Sequence, residues 1–362
     1  MKRIYCTVTN DLNYDQRMIR ICSTLSEHGF SVTLVGRVLS NSNPLDKHPY
    51  QQERLRCRFN SGPLFYLEYN LRLLFYFIAT KPEVINSIDL DTCIAAKLYR
   101  LLARPLWIID AHEYFPEVPE LEGRRLKKRL WEIVESFSIR SADKVYTVSQ
   151  SIAEIYQKKY RKKIEVIRNV PFLRYSNVVK PNSAKSDSGI LLYQGALNAG
   201  RCVDLYIRAM TQLEGELWLA GEGDLSSELR ALASVLGVSE RVRFLGRISP
   251  EELRQFTAKA WLGLNVLENK GLSYFYSLSN KCFDYVMAGI PQIGSDFPEY
   301  QKLNEQYEVM ELIEPKLDVF VNVVKQLQSD KARYQYLCAQ CKPAAAKWNW
   351  EYEKEKLLAQ YE

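Results

Sequence analysis

Short β-branched or aromatic runs alternate with longer amphipathic stretches along the chain, and the alternation runs through twice. In the first half, runs of strand length fall at Arg3–Val8, Ser31–Val35, Val84–Asn86, Trp107–Asp110, Lys144–Val148 and Ile164–Ile167. Segments with helical spacing separate them, among them Asp15–His28, Thr92–Ala103 and Ser149–Tyr160. The second half restarts with Ile190–Tyr193, Glu216–Ala220, Val242–Leu245, Leu262–Val266 and Ile290–Ile293. Helical spacing there covers Val203–Met210, Ser226–Leu236, Pro250–Ala258 and Lys281–Ala288, and a helical tail runs from Leu317 to the end. Strands separated by helices predict an α/β fold, each half a parallel sheet with helices on both faces. Such sheets bind ligands beyond the carboxyl ends of their strands, so the loops there are where chemistry is expected.

A chain of 362 residues accommodates two domains of comparable size. The stretch Lys180–Gly189 is rich in Ser, Pro and Lys and has the composition of a linker. The expected division is a first domain over 1–172, a linker over 173–189, a second domain over 190–343, and a terminal helix over 344–362 that packs back on the first domain. Composition is that of a soluble globular protein, 47% hydrophobic and 25% charged. The longest apolar stretch, Leu71–Ala79, is interrupted by Arg72 and falls far short of the ~20 residues of a membrane span. The start of the chain reads directly as a strand, with no signal-peptide pattern, which leads to the expectation of a cytoplasmic protein. Eight scattered cysteines read as reduced thiols. Cys338 and Cys341 form one CxxC without the second pair or nearby histidine that would complete a zinc site.

Charge changes this picture. Residues 1–175 carry 28 basic and 19 acidic residues, whereas residues 176–362 carry 21 and 24. A basic first half implies an anionic counterpart. Its densest run, Arg124-Arg125-Leu126-Lys127-Lys128-Arg129-Leu130-Trp131, continues into Ile133, Val134 and Phe137 at helical spacing. This is an amphipathic basic helix, either a solvated face or one resting on an anionic membrane surface. No nucleic-acid-binding motif accompanies the charge, so nucleic acid is not expected as a partner.

The most informative window is Tyr274–Pro291. Ser279 is placed as an N-cap, Asn280 and Lys281 open a helix, and Gly289 ends it. A helix N-terminus carries unpaired amide donors and partial positive charge, suited to phosphate, and Lys281 adds a full charge. Asp284 lies one turn on, where a carboxylate accepts the two hydrogen bonds of a ribose diol. An ordinary capped helix with an i,i+3 ion pair would give the same pattern.

This window resembles the donor-binding signature of retaining glycosyltransferases of family 4, which have the GT-B fold: Ser-Leu-Pro-Asn-Lys, two residues, Glu or Asp, Tyr, then Ala-Gly-x-Pro. The resemblance covers nearly the whole chain. Tyr193–Arg201, with Gly195 and Arg201, is similar to the loop after the first strand of the donor domain. Ala220-Gly221-Glu222-Gly223-Asp224 and Val242–Gly246 match two further landmarks. In the first half, Asp15–Leu25 and Gly29–Leu34 resemble the opening of the acceptor domain. Asp110-Ala111-His112-Glu113-Tyr114-Phe115-Pro116-Glu117 is similar to a cleft motif directly after a strand.

The resemblance implies two Rossmann-like domains facing across a central cleft, with a C-terminal helix returning to the first domain. It implies a retaining, metal-independent transferase that moves a sugar from a UDP- or GDP-linked donor to a saccharide or lipid-linked acceptor in bacterial surface-polysaccharide synthesis. It needs no cofactor, since the nucleotide sugar is a co-substrate. His112, Arg201 and Lys281 are the expected catalytic residues. Gly195, Gly221, Glu222, Ser279, Asn280 and Asp284 are expected on the donor side, and Asp110, Glu113 and Glu117 on the acceptor side. The expected location is cytoplasmic, peripheral on the inner face of the membrane, with Leu71–Ala79 and Arg124–Phe137 as candidate contacts. Alternatives are a nucleotide-sugar epimerase of the same fold and a non-catalytic nucleotide-sugar-binding protein.

Departures from the family pattern are visible. The first of two spaced glutamates is Tyr276, and the second is Asp284. Glu268 lies upstream on the same loop, a candidate to compensate. Cys202 replaces a common glycine, and Ala196 replaces a second phosphate-binding arginine of some relatives. Asp89-Leu90-Asp91 has metal-binding DxD spacing but falls in the acceptor half, where it is expected to bind no metal. Gly221-Glu222-Gly223 lacks the third glycine of a dinucleotide fingerprint.

Overall fold

The computed structural model describes residues 2–40, 42–118, 121, 123–175 and 189–362. Most of the expected linker, residues 176–188, therefore lies outside the described residues. The chain divides into two compact units, Met1–Asn169 with Glu353–Glu362, and Val170–Tyr352.

The first unit is built on β1 (Arg3–Thr7), α1 (Gln16–Glu27), β2 (Ser31–Arg37), β3 (Gln51–Leu55), α2 (Gly62–Thr80), β4 (Val84–Ile88), α3 (Cys93–Ala103), β5 (Leu106–Asp110), α4 (Arg125–Ser141), β6 (Lys144–Thr147), α5 (Gln150–Tyr160) and β7 (Glu165–Val166). Its seven strands run parallel in the order β3-β2-β1-β4-β5-β6-β7. Reversal of direction between β1 and β4 is the switch point at which a doubly wound sheet opens a crevice. Strands β4 and β5 bury almost every side chain, the signature of a sheet covered on both faces. Right-handed crossovers from β3 through β7 place α2, α3, α4 and α5 in one layer. Tyr66 packs edge-on against Trp131 at 5.1 Å, and Phe77 lies 5.6 Å from Tyr99, joining α2 to α4 and to α3. The last residues of the chain belong to this unit: Lys2 Nζ donates to the carbonyls of Tyr361 and Glu362, and Lys144 Nζ to that of Ala359.

The second unit contains β8 (Ile190–Gln194), α6 (Val203–Ala209), β9 (Glu216–Ala220), α7 (Ser226–Val235), β10 (Val242–Gly246), α8 (Pro250–Lys259), β11 (Leu262–Asn265), α9 (Gly271–Phe275), α10 (Asn280–Ala288), β12 (Gln292–Ser295), α11 (Pro298–Gln306), β13 (Met310–Ile313), α12 (Leu317–Ser329) and α13 (Lys331–Lys347). A final helix, α14 (Trp350–Leu358), begins here and ends in the first unit. The sheet order β10-β9-β8-β11-β12-β13 is again parallel throughout, with its switch point between β8 and β11.

Two strands escaped the sequence pattern: β3, a polar edge strand, and β13, which follows the last run read in the second half. The run expected at Ile290–Ile293 begins at Gln292, because Pro291 has no amide to give to a ladder. The single helical tail is three helices, broken at Asp330 and at Trp348-Asn349.

Candidate functional site

In the second unit, the loops after β8, β9 and β10 are tied together by backbone bonds. Gly195 N–H donates to Ala220 O at 2.9 Å, Gly221 N–H to Gly246 O at 2.8 Å, and Leu197 N–H to Glu222 O at 3.3 Å. Two glycines make this possible. Gly195 has φ +133° and Gly221 φ +140°, and a β-carbon on Gly221 would lie 2.0 Å from the Gly195 carbonyl oxygen. The turn after β8 can therefore pass directly over the turn after β9.

This crossing brings Lys281 under the Gly195 turn, where a β-carbon on Gly195 would meet Lys281 Cε at 3.6 Å. Lys281 is only 6% exposed; its ammonium has no hydrogen-bond partner among the described residues and sits 4.8 Å from the centre of the Tyr193 ring. Burial, and then repulsion from Arg201, depress its pKa from 10.5 to about 7. Arg201 holds its guanidinium 5.2 Å from the centre of the Tyr274 ring, and its Nε is buried without a partner. Two neighbouring cations are thus braced by aromatic faces rather than by carboxylates. Such an arrangement favours an anion, because the Lys281 ammonium and the Arg201 Nε are buried with no hydrogen-bond partner among the described residues.

The N-terminus of α10 faces the same problem. Ser279 occupies the N-cap position, but its hydroxyl makes no cap bond; it donates to Asn265 Oδ1 at 2.6 Å instead. Ser279 thus does not cap the helix, and a helix N-terminus offers amide donors to an external acceptor. Asn280 is exposed at the first helical position. Asp284 is half-buried and accepts from Gln194 Nε2 at 2.7 Å, while Gln194 Oε1 accepts from Thr257 at 3.1 Å. The Asp284 carboxylate is therefore fixed from below by a residue the sequence reading did not single out. Glu222 pairs with Arg230 at 3.1 Å. Glu268, the candidate replacement for the missing glutamate, pairs with Lys270 at 2.7 Å and bonds Gly200 O through its amide. Cys202 stands at φ +53°, a left-handed conformation that glycine adopts freely and that costs a cysteine about 1 kcal/mol or more.

In the first unit, the loops at the carboxyl ends of β1, β4 and β5 converge. Asp89 Oδ1 accepts from the amides of His112 at 3.1 Å and Glu113 at 3.4 Å, and its Oδ2 lies 3.2 Å from His112 Nδ1. Burial lowers the His112 pKa, but the neighbouring Asp89, Asp110 and Glu113 more than offset it, so the imidazole titrates above its ordinary value. Asp91 accepts from Thr9 at 2.8 Å, and burial pushes its carboxyl up to about 6. The Asp89-Leu90-Asp91 pair thus organises its own loops. Asp89, which sequence spacing presented only as half of a metal motif, is the partner of His112. Among the described residues no group of three or more His, Cys, Asp or Glu side chains is placed to hold a metal ion.

Asp110, expected on the acceptor side, is fully buried and clamped by Arg17 at 2.7 and 2.9 Å. Its oxygens are spent on a bidentate ion pair that braces the start of the His112 loop. Glu113 is exposed, and Glu117 is paired with Lys128 of α4 at 2.5 Å.

Comparison with known proteins agrees with this architecture. The sequence pattern of Glycosyltransferase Family 4 matches residues 16–170, and that of Glycosyl transferases group 1 matches residues 188–330. A comparison with curated protein sequences finds no match. Among solved structures, sucrose-phosphate synthase from Thermosynechococcus elongatus is 18% identical with a TM-score of 0.81, covering 100% of this chain and 98% of its own. HepE from Anabaena, solved with UDP and glucose, is 13% identical with a TM-score of 0.78, covering 100% and 99%. WaaG, a glycosyltransferase involved in lipopolysaccharide biosynthesis, is 14% identical with a TM-score of 0.72, covering 98% of each chain. Two doubly wound units, matched one after the other by the two halves of the family pattern, identify the chain as a glycosyltransferase of GT-B fold that belongs to the group 1, family 4 glycosyltransferases.

Proposed function

We propose that the chain transfers a glycosyl unit from a UDP- or GDP-sugar to a saccharide or lipid-linked acceptor, with retention of anomeric configuration and without a metal. The observation that carries this reading is the pair Arg201 and Lys281, two neighbouring cations with no paired carboxylate among the described residues, Lys281 opening a helix that Ser279 does not cap. A diphosphate supplies the charge this site lacks. During transfer, negative charge grows on the leaving diphosphate, and fixed cations stabilise it without reorganising. Gly195 and Gly221 let the backbone approach the phosphates, Glu222 and Asp284 face the donor's hydroxyls, and Ser279 and Asn280 present the opening of α10. The leaving phosphate takes the proton of the acceptor hydroxyl on the same face of an oxocarbenium-like sugar, and His112, held by Asp89, orients the sugar.

The nucleotide-sugar reading is supported by the HepE structures with UDP, with UDP and glucose, and with UDP-glucose. The surface-polysaccharide reading is supported by the likeness to WaaG. A lipid-linked acceptor places the enzyme at the cytoplasmic face of a membrane. A radiolabelled-donor assay tests the proposal: label passes to a glycan or glycolipid acceptor, and Arg201→Ala lowers turnover about 100–1000-fold. Label isomerised on the nucleotide, or bound without turnover, would replace the proposal by an epimerase or a binding protein respectively.

A further inference from the structure

Helix α2 is apolar on both sides. Its inner face buries Phe65, Tyr69, Leu73 and Phe77, while Leu64, Leu67, Leu71, Phe75 and Ile78 stand exposed, with Leu67 at 59% and Phe75 at 67%. The exposed set recurs every three or four residues, a stripe running ~20 Å along one side of the helix. The neighbouring helices continue it. On α3, Leu98, Leu101 and Leu102 are exposed, and on α4 so are Leu126, Leu130 and Ile133, again on one side. Since α2, α3 and α4 form one layer over the sheet, their outer sides share one surface. An apolar surface carried by three helices exceeds what a soluble protein leaves scattered.

Cations rim the patch. Lys81 and Arg104 follow the ends of α2 and α3, beside a groove of about 500 Å³ that Ile78, Tyr99 and Leu102 line. Arg124, Arg125, Lys127 and Arg129 stand exposed at the start of α4. Of the nearby acids, Glu68 is engaged by the amides of Arg58 and Phe59 and by Arg72, and Glu83, which lines the same groove, by Arg3. Among the described residues no helix is long and apolar enough to cross a membrane.

We infer that the outer surface of α2, α3 and α4 docks into the interfacial layer of an anionic bilayer, apolar side chains among the acyl chains and the basic rim against phosphates. Charge complementarity selects this occupant over a second copy of the chain, which would bring like-charged rims together. The inference deepens the lipid-linked-acceptor reading, but membrane contact is measured without sugar transfer, so either can fail alone.

The test is flotation with phosphatidylcholine vesicles, with and without phosphatidylglycerol, alongside light scattering of the protein alone. The full chain should float with the anionic vesicles and lose binding at high salt. Arg124→Gln/Lys127→Gln/Arg129→Gln should weaken partitioning about a hundredfold, at roughly fivefold per cation. Phe75→Glu/Leu101→Glu should abolish it. Both variants change exposed side chains, so their melting temperatures and nucleotide-sugar binding should match those of the parent. A parent chain that stays unbound on anionic vesicles would overturn the inference, as would a dimer that Phe75→Glu/Leu101→Glu dissolves while vesicle binding is unchanged.

Discussion

Replacing Lys281 by methionine separates the stability of the second unit from its chemistry. The substitution keeps the unbranched apolar stem, one atom shorter, and removes the charge. A pKa lowered from 10.5 to about 7 means that holding the ammonium in the folded state costs about 5 kcal/mol, at ~1.4 kcal/mol per unit. Near pH 7 the unfolded chain keeps the proton freely, so the folded state bears nearly all of that penalty. Lys281→Met should therefore stabilise the second unit by up to about 4 kcal/mol, raising its melting temperature by roughly 10 °C. The sign with pH follows from linkage. A lysine whose folded pKa lies below its unfolded value makes the parent gain stability relative to the variant as pH rises from 7 to 10.5. The gap measured by calorimetry should thus close by about pH 10.5. Transfer should fall ~100–1000-fold, because the lost charge is one that stabilises the leaving diphosphate. Donor binding to the parent near pH 7 should take up part of a proton, seen by titration calorimetry in buffers of different ionisation enthalpy. A variant no more stable than the parent at pH 7, or one with full transfer, would refute the reasoning.

Other outcomes follow from the same geometry. Gly221→Ala sets a methyl group 2.0 Å from the Gly195 carbonyl at φ +140° and should destabilise by roughly 3–5 kcal/mol in a denaturant melt; Gly237→Ala, at φ +67° with nothing within 4 Å, should lose only about 1 kcal/mol. Asp89→Asn removes the nearest charge that lifts the His112 pKa, so a proton-NMR titration should place the imidazole lower than in the parent.

The doubly wound halves were legible because buried parallel strands are apolar on both faces, and runs such as Ile85 on β4 and Ile108-Ile109 on β5 stand out against polar loops. Strand β3 was not legible. Gln51-Gln52-Glu53-Arg54-Leu55 pairs only with β2 at the sheet edge, and no alternation marks a strand that is half solvated. Helix α2 was legible only as a stretch of apolar residues, because apolar side chains on both its inner and outer sides cancel the helical period. At the site, Arg201, Lys281 and His112 carried chemistry visible in one dimension. Their supports did not: Tyr193 and Tyr274 beneath the cations, Gln194 beneath Asp284 and Asp89 beside His112 lie between 23 and 90 positions away along the chain. The ion pair of Asp110 was hidden for the same reason, since its partner Arg17 is 93 positions distant.

The most direct test of the central claim is a crystal structure of the chain soaked with a UDP- or GDP-sugar. The diphosphate should lie within hydrogen-bonding distance of Lys281 Nζ, the Arg201 guanidinium and the first amides of α10. A diphosphate bound elsewhere, or a nucleotide sugar excluded from that pocket, would contradict the claim.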